Sequence, residues 1–276
     1  MNNKPLIISV ALTGAGVKKS STPHVPITPE EIAEDVVKCA KAGASIGHIH
    51  VRDDDGNKSM SLDKFKKTVE LTRKMCSENN VDILLNLTTS GGSYVDEERL
   101  APLYELKPDI CSFDAGSINW GTIIFENHPR FLEKLCVATQ ELNIKPEIEI
   151  FDGGFIRIAE MYINKGMIKG PAHFQFVLGA PGGLDGTMKN LLFLHDMLPK
   201  GSTWSVTGIG KTHMPMLLSA IALGADGVRV GLEDNILMQK GILATNESLV
   251  TRAVDLCRLV GRPIATAEET RKLLGI

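Results

Sequence analysis

Short apolar runs rich in β-branched residues alternate with amphipathic stretches along the whole chain of 276 residues. This alternation predicts eight strands, each followed by a helix. The predicted strands cover residues 6–12, 45–51, 83–88, 110–115, 147–151, 173–178, 203–206 and 227–230. Eight such units with no linker between them favour an α/β fold, a closed (β/α)8 TIM barrel that residues 1–276 form as one domain.

The predicted helices include residues 29–42, 62–78, 129–143, 212–222 and 247–260. The first has a clear start, because Thr28 can cap it and Pro29 and Glu30 follow in the first turn. Two smaller domains, or a doubly wound open sheet, are the alternative organisations. The glycine-rich phosphate fingerprint of an open nucleotide-binding sheet is missing after the first strand, where the chain reads Thr13-Gly14-Ala15-Gly16. The barrel is therefore preferred.

Charge and cysteine usage exclude several classes of protein. The formal net charge is −3 and no block of like charges occurs, so no nucleic-acid-binding surface is indicated, although a local basic patch for a phosphorylated cofactor stays open. We expect no membrane partner, since no apolar run approaches the roughly 18–20 residues of a span, and no secretion signal. The five cysteines are scattered without a Cys-x-x-Cys pair. These features predict a cytoplasmic protein.

The first candidate site is a metal site. Active sites of such barrels are built at the carboxyl ends of the strands and in the loops that follow. His48 and His50 lie two residues apart in the second predicted strand, so both imidazoles point to the same side. With Glu233, which follows the eighth strand, they form a ligand set suited to a divalent metal such as Zn2+. The alternative interpretation is a pair of hydrogen-bonded core histidines.

Three further charged residues are candidates for catalysis. Asp234 follows Arg229 and Glu233, and a carboxylate oriented by a guanidinium suits a base that removes a proton next to a carbonyl. Glu149 lies near the end of the fifth strand, where a carboxylate pointing into a barrel needs a cation, a metal or a substrate proton. A solvated loop with a surface ion pair is the competing interpretation of the Asp234 and Arg229 couple.

The segment Thr89-Ser90-Gly91-Gly92-Ser93 combines hydroxyl groups with glycines after the third strand. Such a turn offers donors to a carboxylate or phosphate, because a glycine backbone can approach a ligand closely. An ordinary flexible turn explains the segment equally well.

Several motifs occur in an order that resembles the β-keto acid cleavage enzymes, a family whose best-known member serves lysine fermentation. The motifs are Leu12-Thr13-Gly14-Ala15, His48-Ile49-His50-Val51-Arg52, Thr89-Ser90-Gly91-Gly92, Pro146-Glu147-Ile148-Glu149, Phe174-Gln175-Phe176-Val177-Leu178-Gly179, Gly208-Ile209-Gly210 and Arg229-Val230-Gly231-Leu232-Glu233-Asp234-Asn235. They span nearly the whole chain and are specific as a set.

This resemblance implies a zinc-dependent acyltransferase on a (β/α)8 barrel that forms a homo-oligomer, commonly a tetramer. Its substrates would be a β-keto acid and acetyl-CoA, and its products acetoacetate and a new acyl-CoA. The matching positions imply His48, His50 and Glu233 as zinc ligands, Asp234 as the base oriented by Arg229, and Glu149 as a further catalytic carboxylate. The positions that would bind the substrate's carboxylate end are Thr89, Ser90, Gly92 and Ser112.

Two departures leave the β-keto acid open. Members that take an aminated substrate carry a glutamate in the loop after the first strand, where this chain has Gly16, and Asp114 replaces an expected asparagine after the fourth strand. Gly16 argues against the aminated substrate, whereas Asp114 offers a counter-charge from another wall. Two other functions compete: a metal-dependent aldolase or lyase that does not use CoA, and a barrel that binds a small acid without turnover.

Overall fold

The computed structural model describes residues 4–276, in which eight parallel strands form a closed barrel. In chain order these are β1 Ile7–Ala11, β2 Ile46–Ile49, β3 Leu84–Leu87, β4 Ile110–Asp114, β5 Lys145–Ile150, β6 His173–Leu178, β7 Thr203–Gly208 and β8 Gly227–Val230. Each strand pairs with the next, and β8 pairs with β1 to close the barrel. The predicted fold class is confirmed.

A helix follows each strand on the outside of the barrel. They are α1 Pro29–Ala42, α2 Leu62–Glu78, α3 Asp96–Leu106, α4 Pro129–Leu142, α5 Gly153–Asn164, α6 Met188–Asp196, α7 His213–Leu223 and α8 Asn246–Leu259, and α9 Ala267–Leu274 follows them. Across residues 4–276, no helix combines the length and the apolar character that crossing a membrane requires.

The start of α1 matches its sequence signals. The Thr28 hydroxyl accepts a hydrogen bond from the Glu31 backbone N–H, and the Glu31 side chain accepts one from the Thr28 N–H. This capping box satisfies backbone donors that the first helical turn leaves free. The helix ends at Gly43, whose φ of 119° is a conformation that a side chain would disfavour.

The last helix, α9, covers the amino-terminal end of the barrel. Ala267 and Leu274 pack with Ile7 and Leu84, which belong to the first layer of strand side chains. The Thr270 hydroxyl donates to the Ser45 hydroxyl at 2.8 Å. Because this end is filled with apolar side chains, polar groups inside the barrel are reached from the carboxyl ends of the strands.

The structure corrects some predicted strand ends. Strand β2 stops at Ile49, so His50 lies just beyond it, and Val51–Arg52 instead pairs antiparallel with Lys58–Ser59. Strand β7 is two residues longer than predicted and ends at Gly208. Two more hairpins, Ile118–Phe125 and 237–243, stand among the loops after β4 and β8.

Candidate active site

His48, His50 and Glu233 meet at the carboxyl end of the barrel. The Nε2 atoms of the two histidines are 3.1 Å apart. The Glu233 carboxylate lies 3.4 Å from the His50 Nε2 and 3.8 Å from the His48 Nε2. These three residues thus form a group whose donor atoms all lie within 4.8 Å of one another. The structure brings together the ligand set that the sequence predicted.

The three side chains fit a divalent metal ion. Bonds of about 2.0–2.1 Å in tetrahedral directions would separate the donor atoms by roughly 3.3 Å, close to the spacings found. The Glu233 Oε2 is buried without a hydrogen-bond partner among the described residues. Burial, more than any other influence, lowers the pKa of His48 to about 3, so its imidazole is neutral, as a metal ligand must be.

Arg229, on β8, joins the catalytic candidates to this group. Its Nε and Nη2 donate to the two carboxylate oxygens of Asp234 at 2.9 and 3.0 Å. Its Nη2 also lies 2.8 Å from Glu233, and its Nη1 donates to Glu149 at 3.3 Å. One guanidinium therefore faces three carboxyl groups, and a divalent cation would balance the excess negative charge.

Burial governs the protonation of these carboxyl groups. It raises the pKa of Asp234 and raises that of Glu149 well above its usual range, with Arg229 opposing both shifts. Burial acts in the same direction on Glu233, but Arg229 and the two histidines outweigh it and hold its pKa well below the usual range. Glu233 is thus the carboxylate that stays ionised, as a ligand should, while Asp234 and Glu149 hold protons more readily.

Thr207 is a site residue that the sequence analysis missed. Its hydroxyl donates to the Asp234 Oδ2 at 2.9 Å, so Asp234 is held from both β7 and β8. The predicted strand ended at Val206, one residue before Thr207. Alternation along a longer strand would have pointed Thr207 inwards, in line with Ser205.

The residues predicted to bind substrate lie on the neighbouring wall. The Thr89 backbone N–H donates to the Ser112 hydroxyl at 3.0 Å, and the Ser90 hydroxyl donates to the Asp114 Oδ2 at 2.6 Å. Asp114 stands beside Glu149 in the register of β4 and β5. Its Oδ1 is buried and finds no hydrogen-bond partner in the part of the chain that is described.

Gly92 and Gly16 differ in their surroundings. A Cβ at Gly92 would lie 2.9 Å from the Glu126 carbonyl oxygen, so close packing against backbone explains the glycine. Gly16 is exposed, and a Cβ there would have no atom of the described residues within 4 Å. A longer side chain would therefore fit at position 16.

Two glycines position Glu233. A Cβ at Gly14, where φ is +61°, would come within 2.5 Å of the Glu233 side chain. At Gly231, where φ is +139°, it would come within 2.1 Å of the Ala11 carbonyl oxygen. The Glu233 N–H donates to that same Ala11 oxygen at 3.2 Å. The loop after β8 is thereby packed directly onto the end of β1.

The other histidines have different places in the fold. His128 caps α4, His195 stands in α6, and His173 is buried at the start of β6. His213 begins α7 and lines a cavity of about 510 Å³ that Glu233 and Asp234 also line. That cavity opens beside the carboxylates.

The sequence and the fold both have recognisable relatives. The family model for beta-keto acid cleavage enzyme matches residues 5–276. A "3-keto-5-aminohexanoate cleavage enzyme" of Fusobacterium nucleatum is 41% identical over 274 residues, which are 98% of each chain. A "3-oxoadipate:acetyl-CoA acetyltransferase" of Cupriavidus necator is 36% identical, with 99% of this chain and 95% of the relative covered.

Among solved structures, a ternary complex of ObcA with a C4-CoA adduct and oxalate has the same fold. The TM-score is 0.76 at 20% identity, covering 92% of this chain and 68% of that one. The family model and the two relatives extend over almost the whole chain, and the chain therefore belongs to the beta-keto acid cleavage enzyme family.

Proposed function

We propose that this protein converts a β-keto acid and acetyl-CoA into acetoacetate and a new acyl-CoA. The observation that carries the proposal is the group of His48, His50 and Glu233 linked through Arg229 to a second buried carboxylate, Asp234. The naming of a relative as an acetyl-CoA acetyltransferase supports acetyl-CoA as the second substrate.

Zinc is the metal that we propose for the three ligands. Two imidazole nitrogens and one carboxylate leave a position open for substrate, as catalytic zinc sites do. A bound divalent ion would act as a Lewis acid on the keto group of the substrate and make the adjacent C–H more acidic.

Asp234 is the proposed base. It would take the proton from C2 of the β-keto acid, and C2 would then bond to the acetyl carbon as the C–S bond of acetyl-CoA breaks. The released CoA sulfur would bond to the distal keto carbon, the bond from that carbon to C2 would break, and C2 would regain a proton. Arg229 and Thr207 orient the Asp234 carboxylate during these transfers.

In this proposal Glu149 has a catalytic role, and the wall of β3 and β4 has a binding role. A raised pKa leaves Glu149 able to carry a proton and to donate it to a substrate oxygen. Thr89, Ser90, Gly92 and Ser112 would hold the carboxylate end of the substrate. Asp114, with a buried oxygen that finds no hydrogen-bond partner within residues 4–276, would take a cationic or hydrogen-bond-donating tail.

We further propose that the protein is a homotetramer. The exposed apolar side chains Ile123 and Ile124, on the hairpin after β4, are 60% and 70% exposed, and subunit contacts would cover such residues. Light scattering coupled to size exclusion should give four times the 30.0 kDa chain mass. The cytoplasmic location stays a prediction.

The decisive experiment separates this function from the CoA-independent lyase. The zinc-loaded protein is incubated with a panel of β-keto acids, with and without acetyl-CoA, and the CoA esters are read by mass. Acetoacetate and a new acyl-CoA should form in equal amounts and only with acetyl-CoA. Cleavage at the same rate without it would make the protein a lyase, and no cleavage of any β-keto acid would leave a binding barrel.

A further inference from the structure

Two buried polar residues of the barrel interior, Asn86 and Glu147, lie next to the candidate metal ligand His48. Asn86 belongs to β3 and Glu147 to β5, and neither has a role in the proposed function. We propose that Asn86 is a positioning residue, which accepts a hydrogen bond from the His48 Nδ1–H and is itself held by Glu147. This inference rests on the proposed function, because it concerns the orientation of one ligand of the proposed metal.

The Nδ1 atom of His48 needs an acceptor. The Nε2 atom of the same ring faces the other candidate ligands, 3.1 Å from the His50 Nε2 and 3.8 Å from the Glu233 Oε2. A neutral imidazole that binds a metal through Nε2 carries its hydrogen on Nδ1. That Nδ1 is buried and has no hydrogen-bond partner within residues 4–276. An acceptor beside it would recover the free energy that an unpaired buried donor costs.

The side-chain oxygen of Asn86 is the acceptor that the fold places there. Asn86 pairs directly with His48 in the register of β2 and β3, so both side chains project from the same face of the sheet. Its Oδ1 is buried and is likewise without a hydrogen-bond partner in the described part of the chain. Burial is the main influence on the pKa of His48 and lowers it, whereas the neighbouring Asn86 side chain acts in the opposite direction, as an acceptor does.

Glu147 fixes the direction in which the Asn86 amide points. The Asn86 Nδ2 donates to the Glu147 Oε1 at 2.7 Å. Burial raises the pKa of Glu147 to about 6, so its carboxyl group is ionised at neutral pH and only accepts hydrogen bonds. The amide nitrogen must therefore face Glu147, which leaves Oδ1 for His48. A negative charge behind the amide would also make the imidazole a more basic ligand.

A space-filling role explains these two residues less well. Asn86 and Glu147 are both fully buried, and a buried hydrogen-bonded pair can be replaced by apolar groups of the same shape at almost no cost in stability. The unpaired Asn86 oxygen next to the unpaired His48 nitrogen indicates what the pair is for. In metal sites the second ring nitrogen of a histidine ligand is usually bonded to an oxygen acceptor, and loss of that acceptor weakens metal binding.

The test measures zinc affinity by competition with a chromophoric chelator. Asn86→Leu keeps the approximate size of the side chain but removes the acceptor, so zinc should bind about 10–100-fold more weakly. Asn86→Asp keeps an acceptor oxygen, and its zinc affinity should stay near that of the parent. The matched control is Gln175→Met, because Gln175 is a fully buried amide on β6 that forms hydrogen bonds with Ser205 and the Phe176 carbonyl oxygen. This control should bind zinc as the parent does.

A second measurement uses the parent and does not depend on the folding of Asn86→Leu. NMR of the zinc-loaded parent with ¹⁵N-labelled histidine should show the hydrogen of the His48 ring on Nδ1, with the signal assigned by its loss in His48→Ala. A hydrogen on Nε2 would overturn the proposal, because the acceptor on Asn86 would then have no donor.

Unchanged zinc affinity in Asn86→Leu would overturn the proposal while leaving zinc binding and acetyl-CoA-dependent cleavage by the parent intact. Equal weakening in Asn86→Leu and Gln175→Met, or in Asn86→Leu and Asn86→Asp, would also overturn it, because the acceptor would then not be the cause. If the parent binds zinc but cleaves no β-keto acid, the proposed function falls, and a loss confined to Asn86→Leu would still support the positioning role. A parent that binds no divalent ion would remove both.

Discussion

Arg229 is the residue on which the site depends, because it contacts Asp234, Glu233 and Glu149 at once. It is 3% exposed, and a buried cation is tolerated only where carboxylates compensate for its lost hydration. Burial by itself would lower the pKa of Arg229, but these carboxylates hold it well above its usual value. The guanidinium is therefore a fixed positive charge around which the proposed metal ligands and the proposed base are arranged.

The base assignment is tested by Asp234→Asn. An amide keeps the shape of the side chain but takes up no proton, so turnover should fall by roughly 10²–10⁴-fold. Metal content per chain should stay near that of the parent. Turnover within a few-fold of the parent would contradict the assignment and make Glu149 the next residue to substitute.

Substrate choice is tested at Gly16 and Asp114. An ammonium in a partly desolvated pocket needs a nearby carboxylate, and Gly16 offers none. We expect the parent to prefer an uncharged β-keto acid to 3-keto-5-aminohexanoate. Gly16→Glu, for which the structure has open space, should shift the ratio of kcat/KM towards the aminated acid by about tenfold, which corresponds to ~1.4 kcal/mol.

The opposite result would also be informative about Asp114. If the parent already prefers the aminated acid and Asp114→Asn abolishes that preference, the ammonium is bound at Asp114, and the inference from Gly16 is wrong. Asp114→Asn is close in size and keeps an oxygen for the Ser90 hydroxyl, so a change in preference would report charge.

At the scale of single elements, the contact between β1 and the loop after β8 fixes the position of Glu233. Gly231→Ala would place a Cβ against the Ala11 carbonyl oxygen and force that loop away from β1. We expect a loss of about 3 kcal/mol or more in the free energy of unfolding, together with weaker metal binding. Gly261→Ala is the matched control, since its φ is also positive but a Cβ there would meet no atom of residues 4–276 within 4 Å. Equal losses in both variants would show that backbone conformation alone, and not the packing onto β1, matters.

The start of β6 gives a prediction about pH. His173 is 1% exposed and forms hydrogen bonds with the hydroxyl groups of Thr203 and Ser205 on β7. Burial lowers its pKa from 6.5 to about 4. A lowered pKa contributes stability that is present above pH 6.5 and is lost as the pH falls towards 4. The shift corresponds to roughly 3 kcal/mol. Denaturant unfolding at several pH values should therefore show a steeper loss below pH 6.5 for the parent than for His173→Gln, and parallel curves would contradict this.

The sequence predicted the strands better than the loops between them. Alternation and apolar content locate β6 and β8 correctly, because those features reflect burial on both faces of the strand. Hairpins such as Ile118–Phe125 depend on contacts with other loops, and no periodic pattern in the sequence predicts them. His48 and His50 were recognisable from their spacing, whereas Thr207 and the contacts of Arg252 with His213 depend on how distant segments meet.

At the scale of the whole molecule, the candidate metal site joins opposite ends of the chain. His48 and His50 come from the second strand unit, and Glu233 from the eighth, which pairs with β1 to close the barrel. A ligand that binds only the folded state stabilises it in proportion to the logarithm of its concentration. Metal binding should therefore resist opening of the barrel, and the stability of the protein should report on occupancy of the site.

We expect the purified protein to hold about one divalent ion per chain, measured by elemental analysis. Removing the ion with a chelator should lower the Tm by about 5–10 °C, because an ion at a hundred times its Kd contributes about 2.7 kcal/mol and a chain of this size shifts by about 2–4 °C per kcal/mol. Added zinc should restore the Tm of the parent and leave that of His48→Ala unchanged. The matched control is His195→Gln, since His195 is a surface histidine on α6, and its response to zinc should equal that of the parent. A zinc response that survives His48→Ala would mean that the ion binds elsewhere, and the ligand assignment would then be wrong.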